Sequence, residues 1–547
     1  QRLLGQVGEI AAQEEDLSSL SALATALVTP TFEIRALVGR AHFLIDARDA
    51  YAEAQESAER ALALARLHHL PDQSARALEA IGAACLASTN YRRAEEVLEE
   101  ARRTWDAISP RSGDGLRAAT TLAEVYFRSA SRQRAQDLLE VVREQAKEGG
   151  NTLLLHDASL LLAGIARRRA RYDDAIELGE TARALAQQAG EKRREARSTM
   201  ALALYLWLAR QYRRSHEMFL AALEIARQLG NRRSMLYTAM NLAELYVEVG
   251  RYDDARALLA RGRAQLKHVD SLSLELYYLA TQVLLELGAG SDEGARSAAE
   301  LVIQLPARPG FRMELAWLHY VLGRSALARG ELDGARDHLA NASALYDATD
   351  DWENASAAQA YLGYCHQLLG DADTALALTS AAYDSALTHG QGEAIQAVFY
   401  VHARVLESLG HVGPASEALQ RAYDAVRHQT GALPEGWEDA FERDVPINRA
   451  ILECYRSQRR CLTVSLPVAA PRGANTRREV TLEWTLSAPG DQAYTRKPER
   501  RQHRLRRLLD EDRAAGAAPS AGDLARALSV SERTVERDLA VLRRDQS

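Results

Sequence analysis

The residues best suited to chemistry in this 547-residue chain are arginines, and they gather near one end. Residues 494–547 hold 13 Lys plus Arg against 9 Asp plus Glu, a net charge of +4, whereas the rest holds 55 against 66, a net of −11. A chain of net charge −7 is not built to coat nucleic acid along its whole length, so any contact with an anionic polymer falls to this segment. Enzyme spacings are missing elsewhere. No Gly-x-x-x-x-Gly-Lys-Ser/Thr occurs, and none of the four lysines, Lys147, Lys192, Lys267 and Lys497, follows a glycine, which excludes a phosphate-binding loop and nucleotide hydrolysis in these residues. The glycines of Gly288-Ala-Gly290-Ser-Asp-Glu-Gly294 have the wrong spacing, and neither a Gly-x-Ser-x-Gly elbow nor a His-Glu-x-x-His zinc motif is present. His68 and His69 read as helix-end residues. The acid pairs Asp173-Asp174 and Asp253-Asp254 read as helix starts, where the helix dipole favours negative charge. The expectation is a non-enzyme with no metal or cofactor of its own.

Cys85, Cys365, Cys454 and Cys461 have no C-x-x-C spacing, which points to reduced structural thiols in a cytoplasmic protein. The most apolar stretch, from Thr152 to Ala166, is broken by His156 and Asp157 and is too short to span a bilayer, and no signal peptide is visible, so no membrane partner is expected. The chain enters a helical pattern at once from Gln1, and an upstream region is expected.

The positioning elements are helices. Apolar residues make up 47% of the chain but aromatics only 6%, so the apolar content is mostly Ala and Leu, which form helices readily. A period of 40 organises them. Small residues recur at Ala54, Ala94, Ala135, Ala175, Ser215, Ala255, Ala295, Ala335, Ala375 and Ala415. Seven places later come Ala61, Ala101, Val142, Ala182, Ala222, Gly262, Val302, Ala342, Ala382 and Ala422. Twelve places before the first series come Gly82, Ala123, Ala163, Ala203, Ala243, Gly323, Gly363 and Ala403, with His42 and Val283 as departures. Small side chains at these places let helix backbones approach closely.

This pattern of small and large positions resembles the tetratricopeptide repeat, stretched to 40 residues, over residues 31–430. The resemblance implies an all-α, right-handed superhelical solenoid of about ten helical hairpins, with the first helix of each pair lining an inner groove. Carried over residue by residue, the groove-facing positions are Arg117, Phe127, Arg128, Arg167, Trp207, Tyr237, Glu244, Trp317, Tyr320, Arg324, Tyr364, Tyr400 and Arg404. Arginines and aromatics suit a groove for a protein, a peptide or a small-molecule inducer; the same side chains also serve ordinary packing between repeats and solvated helix faces. Residues 1–30, with Leu17, Leu20, Leu23 and Leu27, read as part of a preceding repeat.

Beyond Ala422 the period stops. Residues 431–460 read as a closing helix with a break near Pro446. Alternation of Leu462, Val464 and Leu466, then of Val480, Leu482, Trp484 and Leu486, predicts a β-hairpin spacer over 461–490. Residues 494–547 form the basic module. Its first helix should run from about Glu499 to Ala514, burying Leu505, Leu508 and Leu509 and displaying Arg500, Arg501, Arg504 and Arg507. The string from Asp523 to Leu542 then resembles a bacterial helix-turn-helix, with Leu524, Ala525, Leu528, Val530, Val535 and Leu539 where two crossed helices must face each other. Ser529 stands where the usual turn glycine would be. The resemblance implies that Ser531 caps a recognition helix, that Glu532, Arg533 and Thr534 enter a major groove and that Arg537 approaches phosphate or base edges. Too few residues follow Leu542 for a β-wing.

An array followed by such a module resembles the C-terminal part of bacterial STAND-type transcription regulators. That implies DNA as partner, an inducer or protein in the groove, pairing into a homo-oligomer and an ATP-binding switch domain upstream. The string is closer to the deoxyribose-repressor type of helix-turn-helix than to the LuxR type. A protein-interaction scaffold and the receptor part of a nucleotide-switched signalling or defence ATPase stand as the other readings.

Overall fold

The computed structural model describes residues 15–19, 29–48, 50–129, 131–267, 269, 271–291, 293–295, 297, 301, 312–348, 351–389, 394–469 and 479–544. It is an all-α, tetratricopeptide-like repeat array with a two-stranded antiparallel hairpin near the C-terminus. Two compact units divide it: Gln1–Ala358 with His389–Glu393 and Ala432–Ala440, and Gln359–Thr388 with Ala394–Gly431 and Phe441–Ser547. No described helix is long and apolar enough to cross a membrane. Of the segment preceding the array, Leu17 is buried; Leu20, Leu23 and Leu27 lie outside the described residues, as does Val302.

In the first unit the hairpins pair Pro30–Arg48 with Tyr51–Leu67, Pro71–Ala87 with Tyr91–Ile108, Gly113–Arg128 with Arg132–Glu148 and Thr152–Arg168 with Tyr172–Gln188. Lys192–Leu208 with Tyr212–Gln228, Arg232–Glu248 with Tyr252–Leu266, and Arg312–Ala328 with Leu332–Ala348 continue the series. The small residues of the 40-residue clock sit where helices cross. Ala54, Ala94, Ala135, Ala175, Ser215, Ala255 and Ala335 are fully buried, and Ser215 Oγ donates to the Ala203 carbonyl at 2.8 Å, joining two of the small series. Gly82 and Gly323 leave room for Leu98 and Leu339, whose side-chain atoms would lie 2.5 Å and 2.6 Å from an added Cβ.

The same clock shapes the turns. Thr89, Ala170, Arg210, Gly250, Gly290 and Gly330 follow a first helix and all have positive φ; Gly150, Gly190 and Gly230 do the same after a second helix. In each case the next N–H reaches back five residues to a helix carbonyl, as Arg251 N to Tyr246 O at 2.8 Å and Glu191 N to Ala186 O at 3.0 Å. The left-handed residue thereby satisfies carbonyls that the helix end would leave bare. Asn90, Asn151 and Asn231 then cap the next helix, accepting from the N–H three residues on.

The second unit repeats this geometry. Gly363 packs against Thr379 and the Ala375 carbonyl, and Gly370 and Gly410 take the left-handed turn position. The break near Pro446 separates Glu438–Arg443 from Pro446–Gln458. Strand β1 (Arg460–Pro467) pairs antiparallel with β2 (Glu479–Ser487), with Val464 opposite Leu482 and a register shift at Arg460/Cys461. A short 3-10 turn, Pro489–Ala493, leads to three helices, Lys497–Ala515, Ala521–Leu528 and Glu532–Arg544. The hairpin is more than a spacer. Leu466 and Trp484 share one core with Leu505, Leu508, Ala517, Leu524, Ala525, Val535 and Leu542, and Trp484 Nε1 donates to Asp512 Oδ1 at 2.8 Å. Val468 also bridges to Ala517, between the first two helices of the module. Alternation in the sequence gave the strands; the burial of a large indole decided where they pack.

Candidate functional site

The C-terminal three-helix module is assembled by small and apolar residues. Ala525 and Leu524 of Ala521–Leu528 are buried against Val535 of Glu532–Arg544, over Leu505 and Leu508 of Lys497–Ala515. Ser520 caps the middle helix, accepting from Asp523 N at 3.1 Å. Ser529 ends it at φ 55° and ψ 47°, left-handed, so this position is one that favours glycine. The Thr534 N–H lies 3.3 Å from Ser531 Oγ, the cap expected for the last helix.

The first turn of Glu532–Arg544 is exposed at Ser531, Glu532, Arg533 and Arg537 and half-buried at Thr534. Arg533 and Arg537 make no ion pair among the described residues. Glu532 turns back to the neighbouring helix, its carboxylate 2.8 Å from where a Gly522 Cβ would be.

The four arginines expected on display have partners within the module, and that expectation is corrected. Arg501 Nε lies 2.5 Å from Asp538 Oδ2, in a pair with 20% and 3% of the side chains exposed. Arg504 Nε and Arg507 Nη1 reach Asp491 at 2.8 Å and 2.9 Å, and Asp491 is almost fully buried. Arg500 Nε donates to the Tyr494 carbonyl at 2.9 Å. Burial pushes the Asp491 carboxyl up, but the Arg507 and Arg504 guanidiniums and the Ala488 N–H outweigh it and hold it below the usual range. These arginines tie the first helix to the turn before it and to the last helix. The exposed cations around them are Arg496, Lys497, Arg506, Arg513, Arg526, Arg533, Arg537 and Arg543, of which Arg496, Arg513 and Arg526 pair with Glu499, Asp510 and Asp523.

On the first helices of the first unit, Tyr237, Tyr277 and Trp317 stand at one repeat position, with ring centroids 5.6 Å and 5.7 Å apart along the ladder. Tyr277 was missed in the sequence; the 40-residue clock that carries Tyr237 to Trp317 passes through it. Arg117 pairs with Glu79 at 3.0 Å and Asp114 at 2.8 Å, and Arg128 pairs with Glu124. Phe127 packs on Gly164. Trp207 is buried and donates to Glu248, which also accepts from Tyr212 and pairs with Arg210. Glu244 is buried and accepts from Thr281 Oγ1 at 3.0 Å, and the Arg324 guanidinium lies 5.5 Å from the ring centroid of buried Tyr320. Trp207 and Glu244 therefore join repeats. Arg167 is half-buried, in the run Arg167 to Arg169. In the second unit Tyr364 and Tyr400 are half-buried, and exposed Arg404 pairs with Glu407 at 3.0 Å.

Two ties within the first unit left no trace in the sequence pattern. Trp437 stacks edge-on against His216 at 5.0 Å with the Arg251 guanidinium 4.7 Å from its ring centroid, and Arg168 pairs with Asp351. Asp157 receives two bonds from Arg194 at 3.1 Å and 2.9 Å and lies 2.8 Å from His156 Nδ1. Burial pushes this carboxyl up, but the His156 and Arg194 hydrogen bonds outweigh it and hold it at about 2. No group of three or more His, Cys, Asp or Glu among the described residues is placed to hold a metal ion.

No family model matches the chain, and no curated protein matches it. Solved structures of helical repeat proteins align with it. The apo form of RapI aligns with a TM-score of 0.45 and 10% identity over 63% of this chain and 98% of its own. The apo form of the quorum sensor NprR from B. thuringiensis aligns at 0.42 and 13% over 63% and 98%. A Rap protein complexed with Competence and Sporulation Factor aligns at 0.39 and 14% over 67% and 99%. The chain is similar to these proteins as a tetratricopeptide-like helical repeat array.

Proposed function

We propose that this chain is a non-catalytic, cytoplasmic transcription regulator in which the repeat array senses a protein, peptide or small-molecule inducer and the C-terminal module binds DNA. One observation supports the DNA reading above the others. Arg533 and Arg537 begin an exposed helix without an ion pair among the described residues, while four other arginines of the module serve its internal ties. An exposed pair of guanidiniums on the leading turn of a crossed helix suits entry into a major groove. Phosphate contacts then fall to Lys497, Arg506 and Arg543, which flank the module at exposed positions. The inducer site belongs on the first helices, around the Tyr237, Tyr277 and Trp317 ladder, and an upstream ATP-binding switch domain of the STAND type would complete the regulator.

Selection of bound duplexes from a randomised library over a salt series tests this reading. Enrichment of an operator with a steep loss of affinity as salt rises is expected. A helix-turn-helix commonly reads paired half-sites, so the enriched sequence should be palindromic and the bound chain a homodimer. Absence of any duplex binding at low salt would sink the regulator and leave the module as a protein-docking element of a scaffold.

A further inference from the structure

The repeat position that holds Tyr237, Tyr277 and Trp317 holds Arg117, Asp157 and Arg197 at the three preceding 40-residue steps and Ala357 at the next. A charge or a methyl group serves there as well as a ring, so the stacking of hairpins does not demand an aromatic. The three rings are nonetheless consecutive. Tyr237 is 42% exposed, and Tyr277 and Trp317 are half-buried. Neighbouring rings are tilted by 43° and 73° rather than laid face to face, which leaves ring surface for another partner. The charged steps before them differ from one another. Arg117 is paired with Glu79 and Asp114, and Asp157 is bonded to Arg194 and His156. Arg197, the step that adjoins Tyr237, is exposed and makes no ion pair among the described residues. The strip therefore runs cation, aromatic, aromatic, aromatic. It is bounded at both ends, by Asp157, which is spent on its own partners, and by Ala357, which is buried.

The spacing and order of the strip describe its ligand. An extended chain advances about 6.6 Å for every two residues. The ring centroids are 5.6 Å and 5.7 Å apart, so alternate side chains of one extended segment would meet successive steps. A guanidinium fork selects a carboxylate, and the rings select apolar side chains. A compact small molecule would cover one step or two, whereas a chain of about seven residues covers all four. We propose that Arg197, Tyr237, Tyr277 and Trp317 bind an extended peptide segment in which an Asp or Glu side chain stands at one end of three apolar side chains, each separated from the next by one residue. The acid meets Arg197 and the apolar side chains meet the rings in turn. This rests on the reading of the array as a sensor and names the class of inducer.

Calorimetric titration of the full chain with a heptapeptide tests the site. The probe has Glu at the first place, Leu at the third, fifth and seventh and Ser between, with an acetylated N-terminus and an amidated C-terminus so that the side chain carries its only charge. It is used in this order and in reverse, because the strip fixes the spacing of the chain and leaves its direction to the experiment. One order should bind saturably, and Gln in place of its Glu should weaken it about tenfold. Arg197→Gln should weaken the Glu peptide about tenfold and leave the Gln peptide unchanged, a selective loss that a role confined to structure would not produce. Tyr237→Ala should weaken both peptides about tenfold. No saturable binding of either order up to about 1 mM overturns the site. Equal binding of the Glu and Gln peptides, or equal loss of both in Arg197→Gln, overturns the pairing with Arg197. Recovery of affinity by the reversed Gln peptide with a free C-terminus would move the charge from a side chain to a chain end and reject the acid proposed here. Duplex binding on the same preparation separates this site from the reading it rests on: peptide bound with duplex affinity unchanged keeps the site and removes the sensor, and an operator selected without peptide binding removes only the site.

Discussion

Arg501 and Arg533 carry the same charge in the same module, yet their surroundings dictate opposite outcomes. Arg501→Ala leaves Asp538, a carboxylate 3% exposed, without its counter-charge and held only by Gln502, and should cost about 3 kcal/mol, read as a lower urea midpoint. Arg533→Ala should move stability by less than about 0.5 kcal/mol while reducing discrimination between operator and random DNA by about 1–3 kcal/mol. Equal effects of the two on stability would contradict the assigned pairings. The sequence placed these arginines at helical spacing but could not separate them, because Asp491 and Asp538, which decide their roles, belong to other elements. The left-handed Ser529 was legible from its place in the string, and Ser529→Gly should stabilise the module by up to about 1 kcal/mol, slowing amide exchange at Val535 and Leu542. Asp157 predicts a pH dependence. Its folded value of about 2 lies below the ordinary aspartate value of 3.8, so the stability it contributes is present at higher pH and is lost as pH falls from about 4 toward 2. Asp157→Asn should flatten this part of the acid unfolding curve, and an identical curve would show that the carboxylate is not held as described.

At the scale of the element, the repeat was legible because each packing rule was written many times over. One small residue says little, whereas the same small residue in hairpin after hairpin locates every helix crossing. Gly363 tests that reading. An added Cβ would lie 2.6 Å from Thr379 Cγ2 and 3.1 Å from the Ala375 carbonyl, part of which is backbone and cannot move aside, so Gly363→Ala should cost about 1–3 kcal/mol in thermal unfolding. The turns give a paired prediction of opposite sign: Ala170→Gly should stabilise and Gly250→Ala destabilise by about 1 kcal/mol each, since both places are left-handed. What the period could not show is where its exceptions pack. Alternation revealed the β-hairpin, but its place is set by Trp484 and Leu466 sharing one core with residues of the three following helices, and one-dimensional patterning records no such distance.

At the scale of the whole molecule, neighbour-to-neighbour packing says how each hairpin meets the next without saying how many there should be. The pair Arg168 and Asp351 adds that information, because it joins residues that four complete periods and a fraction separate. It acts as a ruler. Excising residues 192–231, one full period, would bring Glu191 to Arg232 with every turn and crossing replaced by its equivalent, so the shortened array should still fold cooperatively with an unchanged helical signal per residue. The ruler would then read wrongly, and a double-mutant cycle between positions 168 and 351 should fall from a coupling of about 1–3 kcal/mol to none. An array of this kind measures its own length, and gain or loss of a repeat would be felt first at that one ion pair.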